Sequence, residues 1–239
     1  MRQLTRREIT YAIFAIDGGK GGVGKSWLVR LLAFLLTINE IGWVGFDVDP
    51  TNQNFIRFHA NDDITFIDWT IPGEWDRMFS LISQVDPEKC ILIDFASQIG
   101  SVLPVQYPRM QATADHLGRQ LFRLWTASPE YDSLNILNQT LEQVNCDRTF
   151  AVKNMRAATK EDFREWDLSN TRASLLAAGG TELVMPELSV GAARALERED
   201  TPFIHASLDT LPAWFYYDVQ AYLSEVRTAF APLIGRISQ

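Results

Sequence analysis

The chain has 239 residues, of which 46% are hydrophobic and 22% charged, and its formal net charge is −8. This length and apolar content exclude a disordered chain and suit one α/β domain, which we expect to span residues 1–239. The acidic balance argues against a general attraction to nucleic acid or anionic lipid, although a local basic patch stays possible.

Neither a metal cluster nor a membrane span is indicated by the sequence. Cys90 and Cys146 form no metal-ligand pair, and the three histidines share no metal-ligand spacing. The apolar runs at residues 9–16 and 27–38 are too short to cross a bilayer, and the basic beginning of the chain lacks the pattern of a signal peptide. We therefore expect a cytoplasmic protein.

The first predicted elements enclose a glycine-rich stretch, DGGKGGVGKS, at residues 17–26. An apolar run at residues 11–16 predicts a strand before it, and residues 27–38 predict a buried helix after it. Strand, glycine-rich turn and helix form the context of a phosphate-binding loop, in which backbone N–H groups and the helix N-terminus face the anion. Lys25 is expected to reach the β- and γ-phosphates, and the Ser26 hydroxyl to bind Mg²⁺.

The lysine at the second position of this loop is more specific than the motif itself. With Lys20, the loop resembles the deviant Walker A loop of the ParA/MinD superfamily of dimerising ATPases. The resemblance implies that Lys20 reaches the phosphates of a partner subunit's nucleotide, and that Lys20 and Lys25 both serve catalysis. It also implies a set of nucleotide contacts, namely Gly19, Gly21, Gly22, Val23, Gly24, Lys25, Ser26 and Trp27.

The next strand, predicted at residues 43–49, ends in the sequence Asp47-Val48-Asp49-Pro50. This run resembles the switch I motif of ParA-like proteins, which implies that Asp49 orients the attacking water and lies near the metal, while Asp47 supports it. The alternative is an ordinary Asx-type turn after a strand. Residues 64–69 predict a third strand, and residues 74–85 an amphipathic helix.

A fully apolar strand is predicted at residues 90–95, and it delivers Asp94 to the carboxyl edge of the sheet. That is the position of a Walker B aspartate, which holds Mg²⁺ together with Ser26. The following residues, Phe95-Ala96-Ser97-Gln98, depart from the small-residue and proline run of many relatives. We expect this switch II loop to respond to the γ-phosphate by a contact that the sequence does not identify.

The second half of the chain predicts strands at residues 121–126, 149–154 and 182–186, a helix near 129–144 and a last helix over 212–234. Asn154 matches the asparagine that contacts adenine in the family, and Pro186 and Glu187 match the segment that packs against the base. No guanine-binding motif is present, which favours ATP over GTP.

Alternating strands and helices predict an α/β fold with a mainly parallel twisted sheet flanked by helices on both faces, the P-loop NTPase fold of the deviant Walker A type. The resemblance implies an Mg²⁺-dependent ATPase that dimerises on binding ATP and hydrolyses it slowly. Its expected role is to position or segregate a cargo, as in plasmid stability, plasmid partition and conjugative transfer, with the help of a protein activator or cargo adaptor.

Two other functions stay open on the same scaffold. One is an ATP-binding regulatory module of a secretion, motility or envelope machine, and the other is a small-molecule ATP-dependent synthetase. Non-specific DNA binding is possible but not supported by the net charge. Its candidate residues are Arg172, Arg194, Arg198, Arg227 and Arg236. A membrane-binding last helix is disfavoured because Arg227 is its one basic residue.

Overall fold

A computed structural model describes residues 12–127, 136–138, 140–141, 146–156, 159 and 161–234. Most of the helix predicted near residues 129–144 lies outside these ranges, although residues 136–138, 140 and 141 are helical. The strands are β1 (Ala12–Gly18), β2 (Trp43–Val48), β3 (Ile64–Phe66), β4 (Cys90–Phe95), β5 (Gln120–Ala127), β6 (Thr149–Asn154) and β7 (Thr181–Met185).

The first helices are α1 (Lys25–Ile38), α2 (Asn54–Phe58), α3 (Glu74–Gln84) and α4 (Leu103–His116). They are followed by α5 (Arg164–Leu168), α6 (Asn170–Ala177), α7 (Val190–Arg198), α8 (Ala213–Ala229) and α9 (Ala231–Ile234). Short 3₁₀ helices cover Ser97–Ser101, Cys146–Arg148 and Phe203–His205.

The seven strands form one parallel sheet in the order β3-β2-β4-β1-β5-β6-β7. Strand β1, which carries the glycine-rich loop, is central and pairs with β4 on one side and β5 on the other. Because parallel strands all end at the same edge, the loops after β1, β2, β4 and β6 meet there. The predicted fold class is confirmed.

Alternate residues of the buried strands feed two separate cores, one on each face of the sheet. In β1, Phe14 and Ile16 pack into the core shared with α1, α7 and α8, whereas Ile13 and Ala15 pack into the core shared with α3 and α4. Helix α1 is buried almost all round, as its apolar sequence predicts, because the 3₁₀ helix Phe203–His205, helix α2 and Tyr222 of α8 pack against it in addition to the sheet.

Two predicted elements are shorter in the structure. Strand β3 ends at Phe66 rather than residue 69, because Asp68 turns the chain by accepting hydrogen bonds from the backbone and hydroxyl of Thr70 (3.0 and 2.6 Å). The last helix breaks between Ala229 and Ala231, where Pro232 supplies no backbone N–H to continue it.

Among the described residues, five helices were not predicted individually: α2, α4, α5, α6 and α7. Helix α4 was missed because it contains Pro104 and Pro108. Pro104 lies in the first turn and costs no hydrogen bond, whereas Pro108 lies inside the helix and removes one. Helices α2, α5 and α6 have five, five and eight residues, which is too short for a clear helical period. Helix α7 has nine residues and an amphipathic sequence, but its pattern was not singled out. The structure also contains no helix, among the residues described, that is long and apolar enough to cross a membrane.

Candidate nucleotide-binding site

The glycine-rich loop closes tightly onto the end of the neighbouring strand β6. Gly24 has a φ of 100°, which strains other residues, and a Cβ added there would lie 2.2 Å from Asn154 Nδ2. Helix α1 starts at the next residue, and its Leu28 N–H donates to the Gly24 carbonyl (2.9 Å). The loop therefore presents the N-terminus of a long helix, as a phosphate-binding loop requires.

The Asn154 side chain supports this loop directly. Its Nδ2 donates to the Val23 carbonyl (2.8 Å), and its Oδ1 accepts from the Arg156 N–H (3.0 Å). The residue is 2% exposed. The structure thus places Asn154 beside the loop, with both polar atoms of its amide bonded to the protein itself, and the expected contact with adenine stays a prediction.

Lys25 lies under the loop, where burial and nearby carboxylates act on its charge in opposite directions. Its Nζ donates to the Lys20 carbonyl (2.9 Å), and the side chain is buried. Burial lowers the pKa of Lys25, while the carboxylates of Asp94, Asp17 and Asp49 oppose that shift. An anion in the loop would add a further favourable partner for this ammonium group.

Asp94 is the least satisfied group of the site. It is 1% exposed, and neither carboxylate oxygen has a hydrogen-bond partner among the described residues. Burial, and then the charge of Asp47, raise the pKa of Asp94 to about 8, with Ser26 and Lys25 favouring the charged form. A buried carboxylate without a partner is the arrangement that a bound cation would relieve.

Magnesium fits these residues. It prefers oxygen ligands and is usually held by one or two carboxylates plus phosphates and water, so it needs no cage of protein ligands. Among the described residues, no group of three or more His, Cys, Asp or Glu side chains forms such a cage. Asp94 and the Ser26 hydroxyl would hold the ion, which would neutralise phosphate charge.

The two aspartates after β2 have different environments. Asp47 is buried and accepts hydrogen bonds from the N–H groups of Asp49, Phe55 and Ile56 (3.1–3.2 Å), which fixes the loop into α2. Burial is the main reason that the pKa of Asp47 rises to about 6.

Asp49 is partly exposed and stabilises its own turn. Its Oδ1 accepts from the N–H and hydroxyl of Thr51 (2.9 and 2.7 Å) and from the N–H of Asn52 (3.1 Å). The Asx-type turn that the sequence left open is therefore present, and it coexists with the position of Asp49 on the wall of the cavity.

The loop lines a cavity of about 420 Å³, and seven of the fourteen residues predicted for the site lie in its wall. Gly21, Gly22, Gly24, Lys25, Ser26, Trp27 and Asp49 line it. Sequence reasoning missed other lining residues, namely Ser97, Arg30, Asn54, Arg57, Phe58, Arg156 and Glu197. Arg30 had a visible signal, because it is the one basic residue between Trp27 and Ile38.

Ser97 is the switch II residue nearest the loop. A Cβ added at Gly21 would lie 3.5 Å from Ser97 Oγ, so the start of the 3₁₀ helix after β4 faces the loop backbone. Ser97 is thus the residue of the switch II loop that the structure places against the phosphate loop.

Pro186 and Glu187 lie elsewhere. They line a separate depression with Met155, Val184 and residues of α8, and they are not part of the wall around the phosphate loop. The structure therefore does not bring these two residues together with the rest of the predicted site.

Several of the arginines considered for DNA lie next to acidic side chains in the structure. Arg172 pairs with Glu182 (2.7 Å), and Arg194 and Arg198 line a depression that also contains Glu199 and Asp209. Arg236 lies outside the described residues.

The chain has similar proteins of known sequence and of known structure. No family model matches the chain. The chain is similar to Protein MobD of Acidithiobacillus ferrooxidans, with 23% identity over 180 residues that cover 74% of this chain and 78% of MobD.

Two solved structures from Aquifex aeolicus share the fold. The MinC:MinD cell division protein complex matches with a TM-score of 0.53 and 15% identity, over 91% of this chain and 94% of that one. MinD matches with a TM-score of 0.51 and 14% identity, over 93% and 98%. The chain has the fold of ParA/MinD-type P-loop proteins, so the resemblance expected from its loop is confirmed in the fold.

Proposed function

We propose that the chain is a cytoplasmic, Mg²⁺-dependent ATPase switch that forms a homodimer when it binds ATP. The observation that carries the proposal is the convergence of Lys25, Ser26 and the unpartnered Asp94 carboxylate at one edge of the sheet, next to a loop that bears Lys20. Lysine and metal charge on the phosphates, with a positioned water, are what phosphoryl transfer requires.

We assign the roles of the residues from the resemblance of the loop sequences, supported by the positions of Lys25, Ser26 and Asp49. The loop N–H groups and Lys25 would bind the phosphates, Ser26 and Asp94 would hold the magnesium ion, and Asp49 would orient water. Lys20 would extend to the nucleotide of a second copy. Release of the γ-phosphate would free the loops around Asp49 and Ser97, which makes the ATP state and the ADP state different.

The cargo that we propose follows the resemblance of the loop sequences: plasmid DNA or a conjugative transfer complex, reached through a protein activator or adaptor. The similarity to MobD over most of both chains and the fold shared with MinD, which forms a complex with MinC, are compatible with a protein partner.

An ATP-binding regulatory module with little hydrolysis is the second candidate. It is favoured by the Asp49 carboxylate, because three donors of its own loop already occupy its Oδ1 atom. Such an aspartate is less available to polarise a water molecule than an unbonded one.

Measuring the size of the protein in solution with and without Mg²⁺-ATP tests the first proposal. The parent should change from monomer to dimer with ATP, and Lys20→Ala should bind ATP but stay monomeric. Lys25→Ala should not bind it. Lys89→Ala, on a half-exposed side chain away from the cavity, is the matched control and should behave as the parent. A parent that stays monomeric in saturating Mg²⁺-ATP would overturn the dimer switch.

A further inference from the structure

A buried arginine, Arg30, forms part of the wall of the phosphate-loop cavity. Arg30 is 3% exposed, and its Nε and Nη2 atoms have no hydrogen-bond partner in the described part of the chain. Its guanidinium carbon lies 3.2 Å from the centre of the Phe58 ring and about 5 Å from those of Trp27 and Phe203. These rings attract the cation but cannot accept its in-plane N–H groups.

The neighbouring arginines of the cavity form ion pairs, whereas Arg30 forms none with the residues that the structure describes. Arg57 contacts Asp200 at 2.9 Å, and Arg156 contacts Glu197 at 2.7 Å. Arg30 contacts neither carboxylate. Burial is the largest reason that the pKa of Arg30 falls to about 9, so the group is charged at neutral pH but poorly stabilised. Buried polar groups are almost always satisfied, which indicates that a partner completes this one.

The position of Arg30 identifies the kind of partner. Arg30 follows Ser26 by four residues in α1, so the two lie on the same helix face, about 6 Å apart along the axis. A nucleotide whose β- and γ-phosphates occupy the loop has its α-phosphate next along the chain of phosphates. Arg30 lines the same cavity as Lys25 and Ser26, so its guanidinium would be the cation available to that anionic oxygen, while Lys25 and Ser26 would serve the outer phosphates.

We propose that Arg30 is a nucleotide-binding residue whose guanidinium donates hydrogen bonds to the α-phosphate. The inference rests on the proposed nucleotide binding and adds a contact that is independent of the γ-phosphate. The aromatic walls of Phe58 and Trp27 hold the side chain in place before the ligand arrives, so little conformational entropy is lost on binding. The contact should therefore strengthen ADP and ATP equally.

The test compares affinities for Mg²⁺-ATP and Mg²⁺-ADP by calorimetry in the parent, Arg30→Met and Arg30→Lys. Methionine keeps an apolar stem among the aromatic rings and removes the donors. Arg30→Met should lose about 10- to 100-fold in affinity for both nucleotides. Arg30→Lys should recover part of the loss, since it restores a charge but not the planar donor pair.

Arg227→Met is the matched control, because Arg227 also lies over an aromatic ring, that of Phe34, but on the exposed side of α8 outside the cavity. It should bind both nucleotides as the parent does. A loss in Arg30→Met that is confined to ATP, or no loss in a variant with an unchanged melting temperature, would overturn the Arg30 assignment. If the parent itself binds neither nucleotide, the proposed function fails instead.

The melting temperatures of the variants distinguish the loss of a nucleotide contact from the loss of packing. A buried charge without a partner destabilises the ligand-free protein, so Arg30→Met should melt at the parent temperature or above it. A variant that melts lower has lost packing, and the comparison then passes to Arg30→Lys, which must also bind both nucleotides more weakly than the parent. If Arg30→Met is destabilised, and a folded Arg30→Lys binds both nucleotides as tightly as the parent does, the proposal is contradicted.

Discussion

The Arg123 guanidinium and the Asp17 carboxylate form a fully buried ion pair directly beneath the phosphate loop. Nη2 and Nε of Arg123 donate to Asp17 at 2.9–3.2 Å, and both side chains are 1% exposed or less. The Tyr107 hydroxyl donates to the same carboxylate at 2.8 Å. Strand β1 is thereby joined to strand β5 and to helix α4, which follows switch II.

We expect the pair to control stability. Burial opposes the charged form of Arg123, but the attraction of Asp17 prevails and raises the pKa of Arg123. Arg123→Met should reduce the free energy of unfolding by about 3–5 kcal/mol, because it leaves the Asp17 carboxylate buried without its counter-ion. Urea denaturation measures the change.

Arg109→Met is the comparison for this experiment, since Arg109 pairs with Asp76 at the surface. Its effect should stay below about 1 kcal/mol. The double variant Asp17→Leu/Arg123→Met should be more stable than Arg123→Met alone, because no buried charge is left. If Arg123→Met and Arg109→Met lower the free energy of unfolding by the same amount, the buried pair contributes no more to stability than the surface pair does.

Asn154 distinguishes support of the loop from contact with the base. Its hydrogen bond to the Val23 carbonyl holds the loop, so Asn154→Ala should weaken binding of inorganic tripolyphosphate and of ATP alike, by roughly tenfold. Fluorescence of Trp27, which lines the cavity, can follow the titration. Asn39→Ala, at the opposite end of α1, should have no effect. If only ATP binding weakened, Asn154 would be a base contact as the family resemblance implies.

Features that depend on neighbouring residues were predictable from the sequence, whereas contacts between distant residues were not. The sheet was predictable because buried parallel strands are continuous apolar runs, and the run Cys90–Phe95 coincides with β4. The phosphate loop was predictable because its chemistry is local. The Asn154–Val23 bond joins residues 131 positions apart, and the pairing of Asp17 with Arg123 spans 106, so neither has a local signal.

His59 should make stability depend on pH. Its imidazole is buried against the rings of Trp43 and Phe55, and Nδ1 donates to Asp62 at 2.7 Å. Burial lowers the pKa of His59, although Asp62 opposes the shift. The folded state therefore takes up this proton less readily than the unfolded state, whose histidine pKa is about 6.5.

The sign follows from this difference. Stability from the neutral imidazole is complete above about pH 6.5 and is lost as the pH falls through the lower folded-state pKa, with a slope of at most about 1.4 kcal/mol per pH unit. The free energy of unfolding of His59→Phe, measured by denaturation between pH 7 and 5, should therefore fall less with decreasing pH than that of the parent. Replacement of the exposed His116 by alanine is the comparison variant for the loss of one histidine. Parallel pH profiles for the parent and His59→Phe would contradict the assignment.

Asp94 should cost stability in the metal-free protein and contribute affinity when magnesium and nucleotide are present. Asp94→Asn removes an unpartnered buried carboxylate at constant size, so the free energy of unfolding without metal should rise by about 1 kcal/mol. The same variant should lose the gain in ATP affinity that Mg²⁺ gives the parent. Calorimetric titrations with ATP, with and without Mg²⁺, measure this gain.

The expected result separates a metal ligand from a structural residue. A structural aspartate would show lower stability on substitution and a retained response to Mg²⁺. Asp115→Asn, an exposed position on α4, controls for the loss of one negative charge from the protein.

Asp49 decides between a hydrolysing switch and a module that only holds ATP. Its Oδ1 atom is occupied by the backbone and hydroxyl of its own turn, which leaves Oδ2 to orient a water molecule. If it acts on water, Asp49→Asn should keep the turn through its amide oxygen and lower the single-turnover hydrolysis rate by 10²-fold or more, at unchanged ATP affinity. Phosphate release from a preformed Mg²⁺-ATP complex measures the rate.

The neighbouring residue supplies the control. Thr51→Val removes the hydroxyl that donates to Asp49 Oδ1 (2.7 Å) and keeps the backbone N–H, so it frees part of the carboxylate. Hydrolysis should then stay equal or increase. A parent rate that is matched by Asp49→Asn would exclude Asp49 from catalysis and favour the regulatory module, because no other described aspartate lines the cavity.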